Sequence, residues 1–306
     1  MNRDLEIIKK TKISFKSDFI FKKIFSENED ILKSLLEAIL NVKITEISTE
    51  KDFTLSKYRE SDKGGILDVK ATINGKTCVN IEMQVVDDKD ILDRTIYYLA
   101  RLRSTSIKKG DSYTSQKPII SIAILDFINF YKPNEDGFLS FTEFNLMQIN
   151  TKNEKIILES FDDKIKLMLI ELPKFRKLKP DLNNKLHEWL LALDCKKFEE
   201  MEEVMRTDKE IKEAVKQLTI LSDDKEVMDA YEKEQDYLRI IATREHRAKM
   251  RLEQGIKEGI EKGIIQGKQE GVKETILKLK KSGMKINQIA QILEISIEEL
   301  NNLINN

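Results

Sequence analysis

Two runs of alternating apolar and polar residues stand out along the chain, ILDVKATI (66–73) and KTCVNIEMQVV (76–86). Strict alternation predicts β-strands that each have one apolar face. The intervening Asn74-Gly75 is a strong turn signal between two such runs. The pattern therefore predicts a β-hairpin.

The apolar positions also predict how the two strands pair. Directly opposed residues of an antiparallel pair lie on the same face of a sheet. A two-residue turn would mix apolar and acidic side chains on both faces. A three-residue loop, residues 74–76, keeps the apolar residues together: it pairs Val69 with Ile81 and sets Asp68 directly opposite Glu82.

Two carboxylates opposed in this way repel each other, because their Cβ atoms lie roughly 4.5–5.5 Å apart. A divalent cation between them would remove that repulsion. Carboxylate oxygens are hard ligands, which suit Mg²⁺ or Mn²⁺. Acidic residues are also common on the solvated face of a hairpin, so the pattern alone leaves both interpretations open.

The rest of the chain predicts an α/β core with a mixed sheet, followed by a mostly helical half. The predicted helices cover 18–41, with a break at 28–30, then 88–110, and most of 182–250; extended runs cover 42–49, 54–58, 118–127 and parts of 138–174. The run 118–127 is almost continuously apolar, as expected of a strand that is buried on both faces.

The composition narrows the functional classes. A net charge of −1 gives no general positive field, so any DNA contact must depend on local basic clusters and a bound metal. Two histidines and two distant cysteines exclude a His/Cys zinc site. The cysteines and the amino-terminal residues predict reduced thiols in a cytoplasmic protein. No apolar run reaches the roughly 18–20 residues of a membrane span.

Four segments around the hairpin resemble one known family. They are SDFIFKKIF (17–25), GGILDVKATINGKTCVNIEMQ (64–84), DILDRTIYYLARLRSTSIKKGDSY (90–113) and KPIISIAIL (117–125). The chain is similar here to the recombination-promoting nuclease and transposase family of the PD-(D/E)XK nuclease superfamily. IELPKF (170–175) and the glycine-rich tail look similar too.

The resemblance implies a restriction-endonuclease-like fold, with a mixed sheet flanked by helices. It implies a Mg²⁺-dependent DNA endonuclease, with Mn²⁺ as a second suitable metal and no organic cofactor, linked to recombination or mobile elements. Asp68 and Glu82 would hold the metal and act in catalysis with Gln84. The alternative is a degenerate relative, a non-catalytic DNA- or protein-binding oligomeric factor. The intact Asp68, Glu82 and Gln84 favour the nuclease.

Gln84 stands where the superfamily usually has a lysine. Glutamine neither carries a positive charge nor acts as a base. Under the resemblance, activation of the attacking water would depend on the metal, and Gln84 would orient that water or a phosphate oxygen.

Three further residues are candidates for supporting roles. Arg94 and Tyr98 match positions where the family carries the same residues, and they share one face of the helix after the hairpin. They would support the metal site and contact phosphates, whereas Arg101 on that face is expected to be solvated. Asp18 either adds an acid to the site or caps a helix, and both interpretations stay open.

The predicted organisation has three segments: a nuclease domain at 1–175, a helical region at 176–254, and a tail at 255–306. Five glycines from Gly255 to Gly271 recur every four residues, and each costs a helix roughly 1 kcal/mol relative to alanine. They predict either close packing between helices of an oligomer or a solvated linker, of which the linker is favoured.

The tail itself predicts three short helices that resemble a helix-turn-helix. Ser296 and Glu299 fit a capping box for the last of them. That helix, SIEELNNLI, has no Lys or Arg, which a DNA-recognition helix normally supplies. A protein–protein module, and so a homo-oligomer through the C-terminal helices, is the interpretation that this pattern favours.

Overall fold

A computed structural model describes residues 13–50, 54–55, 65–66, 69–87, 90–129, 137–142, 145–149, 155–160, 164–195 and 198–305. The helices are α1 (Asp18–Glu27), α2 (Glu29–Leu40), α3 (Ile91–Thr105), α4 (Leu172–Phe175), α5 (Lys185–Asp194), α6 (Phe198–Thr207), α7 (Lys209–Ser222), α8 (Lys225–Lys281), α9 (Ile286–Ile292) and α10 (Ile297–Asn305). The strands are β1 (Ile47–Glu50), β2 (Thr54–Leu55), β3 (Gly65–Ile66), β4 (Val69–Ile73), β5 (Thr77–Gln84), β6 (Ile119–Leu125), β7 (Leu139–Phe141), β8 (Asn145–Ile149), β9 (Lys155–Ser160) and β10 (Ile165–Glu171).

Six strands form one mixed sheet in the order β1-β4-β5-β6-β10-β7. Strand β5 lies at its centre, antiparallel to β4 and parallel to β6. Strand β10 is parallel to β6, and β7 closes the far edge antiparallel to β10. The α/β fold with a mixed sheet, predicted from the sequence, is confirmed.

Side chains from alternate positions of the central strands enter two separate cores. On one face, Val79, Ile81 and Met83 of β5 pack with apolar residues of α1, α2, α5 and α7. On the other face, α3 packs through Leu99 and Leu102 against apolar side chains of β5, β6 and β10. The sheet is therefore covered by helices on both sides, and the face of β5 that carries its polar residues is buried rather than solvated.

Local signals explain where the first helices begin and end. The predicted break between α1 and α2 is confirmed, since Asn28 follows α1 and precedes α2. Helix α3 ends at Thr105 and not at Gly110 as the sequence predicted. The hydroxyls of Thr105 and Ser106 donate to carbonyls of the preceding turn, at 3.1 Å to Arg101 and 2.7 Å to Arg103. These hydroxyls give additional donors to carbonyls of the last turn, where the helix ends.

The chain forms two compact units, Met1–Asp236 and Tyr237–Asn306. The predicted three-segment division stays a prediction, although its boundary at 254/255 falls inside α8. All five repeat glycines lie within α8, so this segment is helical rather than frayed, and the choice between packing in an oligomer and a solvated linker stays a prediction. A Cβ added at any of them would meet nothing within 4 Å.

The C-terminal unit has a small core of its own, formed by Ile276 of α8, Ile289 and Ala290 of α9, and Leu300 of α10. The predicted capping box before the last helix is confirmed: the Glu299 amide donates to Ser296 Oγ at 3.1 Å, and the Ser296 amide donates to Glu299 Oε2 at 3.4 Å. No helix in the described part of the chain combines the length and apolar character needed to cross a membrane.

Candidate active site

The hairpin of β4 and β5 has the predicted register. Val69 is paired with Ile81 and Ala71 with Val79, and residues 74–76 form the loop between the strands. Asn74 and Gly75 have φ values of +50° and +64°, the left-handed conformation that Asn and Gly tolerate best. Asp68 lies outside the described residues, so its position opposite Glu82 stays a prediction.

Glu82 lies on the central strand β5 and is buried, with 4% of its surface exposed. It lies on the face of β5 that α3 covers. The Thr95 hydroxyl of α3 is 3.4 Å from Glu82 Oε1 and donates to the Ile91 carbonyl at 2.7 Å. A carboxylate held in so dry a place is costly unless charge or hydrogen bonds compensate it.

Two further polar side chains lie on the same face. Asn80 precedes Glu82 by two residues, and its neighbour on β6 is Ser121. Both are buried, and within the described ranges Asn80 Oδ1 and Ser121 Oγ have no hydrogen-bond partner. A buried carboxylate beside an unsatisfied amide oxygen is a set of hard oxygen donors, which fits Mg²⁺ or Mn²⁺ better than a softer metal.

The described residues alone do not complete a metal site. Among them, no group of three His, Cys, Asp or Glu side chains lies close enough to hold an ion. The predicted partner of Glu82 is Asp68, which is outside those residues. The fit to a divalent cation therefore rests on Glu82, Asn80 and the confirmed register of the hairpin.

Gln84 is held by Arg94, as a supporting role for Arg94 requires. Arg94 Nη2 donates to Gln84 Oε1 at 2.7 Å. A guanidinium group only donates hydrogen bonds, so the end of the amide that faces Arg94 must be its oxygen. The Nε2 amide nitrogen of Gln84 can then donate a hydrogen bond to another acceptor. Arg94 fixes which end of the Gln84 amide is available.

The other residues of this helix face are half-buried. Tyr98 packs against the core beneath α3, and its ring lies 5.8 Å from that of Tyr97. Arg101 was expected to be solvated, but it is half-buried and its Nε atom is inaccessible to solvent. Nothing in the local pattern distinguishes Arg101 from a solvated residue, because its burial depends on what packs around α3.

The cap of α1 is Ser17 and not Asp18, so the N-cap interpretation of Asp18 is wrong. Ser17 Oγ accepts a hydrogen bond from the Ile20 amide at 3.2 Å. Asp18 is the first helical residue, and its side chain is exposed. An acidic residue in the first turn still interacts favourably with the helix dipole. A role for Asp18 in the site stays a prediction.

Glu234 of α8 was not identified from the sequence. Its carboxylate accepts hydrogen bonds from the Ser17 hydroxyl and, at 2.8 Å, from the Asp18 amide. Burial raises the pKa of Glu234, and these hydrogen bonds partly offset that rise. Glu234 satisfies amide donors at the start of α1, and no local pattern could indicate a contact across more than 200 residues.

A network of four charges lies at the carboxyl end of β6. Lys16 Nζ forms ion pairs with Asp126 Oδ2 at 3.2 Å and with Asp194 Oδ1 at 2.9 Å. Arg176 forms ion pairs with the same two carboxylates. The hydrogen bonds that Arg176 donates to the Asp194 carboxylate raise the pKa of Arg176 above its usual value. The Asp126 amide also donates to the Gln84 carbonyl at 2.8 Å. The network therefore anchors the strand end that carries Gln84.

Comparison with known proteins agrees with this geometry. The family described as "PD-(D/E)XK nuclease family transposase" matches residues 15–241, which include every described candidate residue of the site. The chain belongs to the PD-(D/E)XK nuclease family of transposases. No curated protein and no solved structure matches the chain. The family supports nuclease chemistry linked to mobile elements, with DNA as substrate, and its members generally use divalent metals.

Proposed function

We propose that this PD-(D/E)XK family member is a metal-dependent DNA endonuclease that hydrolyses phosphodiester bonds with Asp68, Glu82 and Gln84. The observation that supports it most is the register of the hairpin, which would set Asp68 opposite the buried Glu82 if the ladder continues by one residue. Family membership supplies DNA as the substrate class.

In this mechanism, Glu82 and Asp68 hold the cation, for which Mg²⁺ is the natural candidate and Mn²⁺ an acceptable one. The bound metal supplies Lewis acidity and lowers the pKa of water. Gln84 donates a hydrogen bond from Nε2, because Arg94 already takes its oxygen. Phosphate oxygens accept hydrogen bonds, and we assign the Nε2 donor of Gln84 to an oxygen of the scissile phosphate.

Metal dependence is the first expected result. The purified chain should nick or cut plasmid DNA in Mg²⁺ or Mn²⁺ and be inactive in EDTA, because the cation completes a site built from carboxylates. Loss of supercoiled plasmid on an agarose gel measures this. Cleavage that survives chelation would contradict the metal-dependent mechanism, whereas a chain that never cuts would favour a non-catalytic binding factor.

The direction of the Gln84 amide gives a second expected result. Gln84→Ala should slow cleavage by about 10²-fold, less than loss of a carboxylate, because one donor to the phosphate is removed. Gln84→Lys should stay partly active, since lysine keeps a donor. Gln84→Glu should be slower than Gln84→Ala, because it sets a negative charge against the phosphate.

Arg94→Met provides the matching test of how Gln84 is held. The amide is then free to rotate, so cleavage should slow while metal affinity stays unchanged. Single-turnover rates, measured beside Mn²⁺ affinity, separate the two effects. Equal rates for Gln84→Glu and Gln84→Lys would contradict a donor role for Gln84.

We also propose that the C-terminal helices join copies of this chain. Ile256, Ile260 and Ile264 of α8 are each more than half exposed at four-residue spacing, an unusual surface for a solvated helix. Helix α10 is acidic at its start and carries no Lys or Arg, which disfavours contact with DNA.

Deletion of residues 255–306 tests this assembly. It removes the whole C-terminal core and leaves both sheet cores intact, so the truncated chain should fold and keep metal-dependent cleavage. Light scattering after size-exclusion chromatography should show a smaller assembly than that of the full chain. If the truncated chain folds and has the same oligomeric state as the full chain but no longer cuts DNA, then the tail binds DNA.

A further inference from the structure

Positive charge is concentrated in one stretch of α8. Residues 239–251, the basic segment, contain five Lys or Arg and one acidic residue, Glu245. The preceding part of the helix, 225–236, has two Lys and five acids, and the following part, 253–274, has four Lys and five acids. A chain of net charge −1 can contact a polyanion only through a local cluster of basic residues, and this segment is such a cluster.

Three arginines of the basic segment share one face of the helix. Arg244, Arg247 and Arg251 are spaced i, i+3 and i+7, and all three are exposed. Across the described part of the chain, no side chain forms an ion pair or hydrogen bond with any of them. Like charges one turn apart destabilise an isolated helix, so this arrangement indicates an external anionic partner.

We propose that the basic segment binds the phosphate backbone of duplex DNA. Guanidinium groups match phosphate oxygens with paired donors, and four of the five cations are arginines. The seven helical steps from Arg244 to Arg251 span roughly 10 Å. A duplex presents roughly six phosphate charges over that length. The helix thus meets enough phosphates for every arginine on the face.

The sequence of α8 disfavours the other common anionic surface, a membrane. Helices that lie on membranes usually insert Trp or Phe, and the stretch Tyr237–Lys281 has neither. Most of the basic segment also lies beyond the family match, which ends at residue 241. The inference takes from the proposed function only that DNA is the substrate, and it assigns to this chain a binding surface outside the candidate active site.

The test measures how salt weakens binding of the full chain to a labelled duplex in EDTA, where the proposed cleavage does not occur. The triple variant Arg244→Gln/Arg247→Gln/Arg251→Gln removes three phosphate contacts. Each contact contributes about 0.9 to the slope of log K against log salt, so the slope should become shallower by about 2.7. Raising the salt concentration from about 50 to 200 mM should then reduce the DNA affinity of the parental chain roughly 40-fold more than that of the variant.

A matched control changes three lysines of the balanced part of the same helix, Lys257→Gln/Lys262→Gln/Lys268→Gln. It removes the same charge, and its salt slope should equal that of the parental chain. Circular dichroism checks that both variants keep their helix content. Equal slopes for the arginine variant and the parental chain would overturn the inference, and so would an equal loss in the control.

Phosphatidylserine vesicles test the membrane alternative. The parental chain should not bind them at about 150 mM salt. If it does bind them, if the arginine variant loses that binding, and if the salt slope of the variant for DNA is unchanged, then the ligand of the basic segment is a membrane and not DNA. Because the readout is binding in EDTA, it is independent of catalysis. A chain that shows the expected slopes but never cuts DNA would support this surface and contradict the proposed endonuclease.

Discussion

Replacing Asp68 or Glu82 with alanine is expected to slow DNA cleavage by at least about 10³-fold. Each change removes one of two carboxylates that would hold the cation, and loss of metal stabilisation is worth several kcal/mol of the activation barrier. The initial rate of plasmid nicking in Mg²⁺ measures the effect. Parental rates in either variant would show that the site is assigned wrongly.

These two changes are not expected to lower the free energy of unfolding. Removing one carboxylate relieves the repulsion between them when no metal is bound. The Thr95 hydroxyl keeps its 2.7 Å hydrogen bond to the Ile91 carbonyl in Glu82→Ala, so this donor stays satisfied. Urea unfolding in EDTA tests this, and it separates a lost site from a lost fold.

A matched control is Glu50→Gln on the neighbouring strand β1. Glu50 pairs with Lys70 at 2.9 Å, but its side chain is 45% exposed. It lies outside the proposed metal site, so this variant should cut DNA at nearly the parental rate. If Glu50→Gln slows cleavage as much as Glu82→Ala does, then cleavage depends on the overall negative charge of this part of the sheet and not on the Asp68–Glu82 pair.

The largest expected effect on stability is that of Lys174→Met, about 3–5 kcal/mol of the free energy of unfolding. Lys174 Nζ lies 2.6 Å from Glu171 Oε2, and the two side chains are only 3% and 0% exposed. Glu171 Oε1 also accepts a hydrogen bond from the Asn129 amide at 2.7 Å. Methionine would remove the positive charge of Lys174 from beside the buried Glu171 carboxylate, which is costly.

Two controls distinguish this burial effect from simple loss of an ion pair. Lys278 and Glu274 of α8 are also 2.6 Å apart, but they are 73% and 67% exposed. Lys278→Met should leave stability nearly unchanged. Adding Glu171→Gln to Lys174→Met should restore part of the loss, since no buried charge then remains. Equal effects of Lys174→Met and Lys278→Met in urea unfolding would contradict the argument.

The hairpin register could be predicted because it depends only on local information. Alternation from Val69 to Ile73 and from Thr77 to Gln84 assigns faces to residues, and a three-residue loop keeps the apolar faces together where a two-residue turn does not. The break at Asn28 and the capping box at Ser296 are equally local. Each of these features depends on residues that are close in sequence, and the structure confirms all three.

Features that depend on long-range packing could not be predicted. The polar residues Asn80 and Glu82 alternate like a solvated face, yet α3 buries them. Glu234 reaches Ser17 from more than 200 residues away. The glycines from Gly255 to Gly271 have low helix propensity, yet the segment that holds them is helical.

The most direct test of the account is a crystal structure of the full chain grown with Mn²⁺, whose anomalous signal locates the metal. We expect one peak within about 2.0–2.2 Å of carboxylate oxygens from both Asp68 and Glu82, the distance range of hard cations of this size. Gln84 should lie beside it, with its oxygen on Arg94. A peak elsewhere, or Asp68 on the opposite face of the sheet from Glu82, would contradict the proposed site.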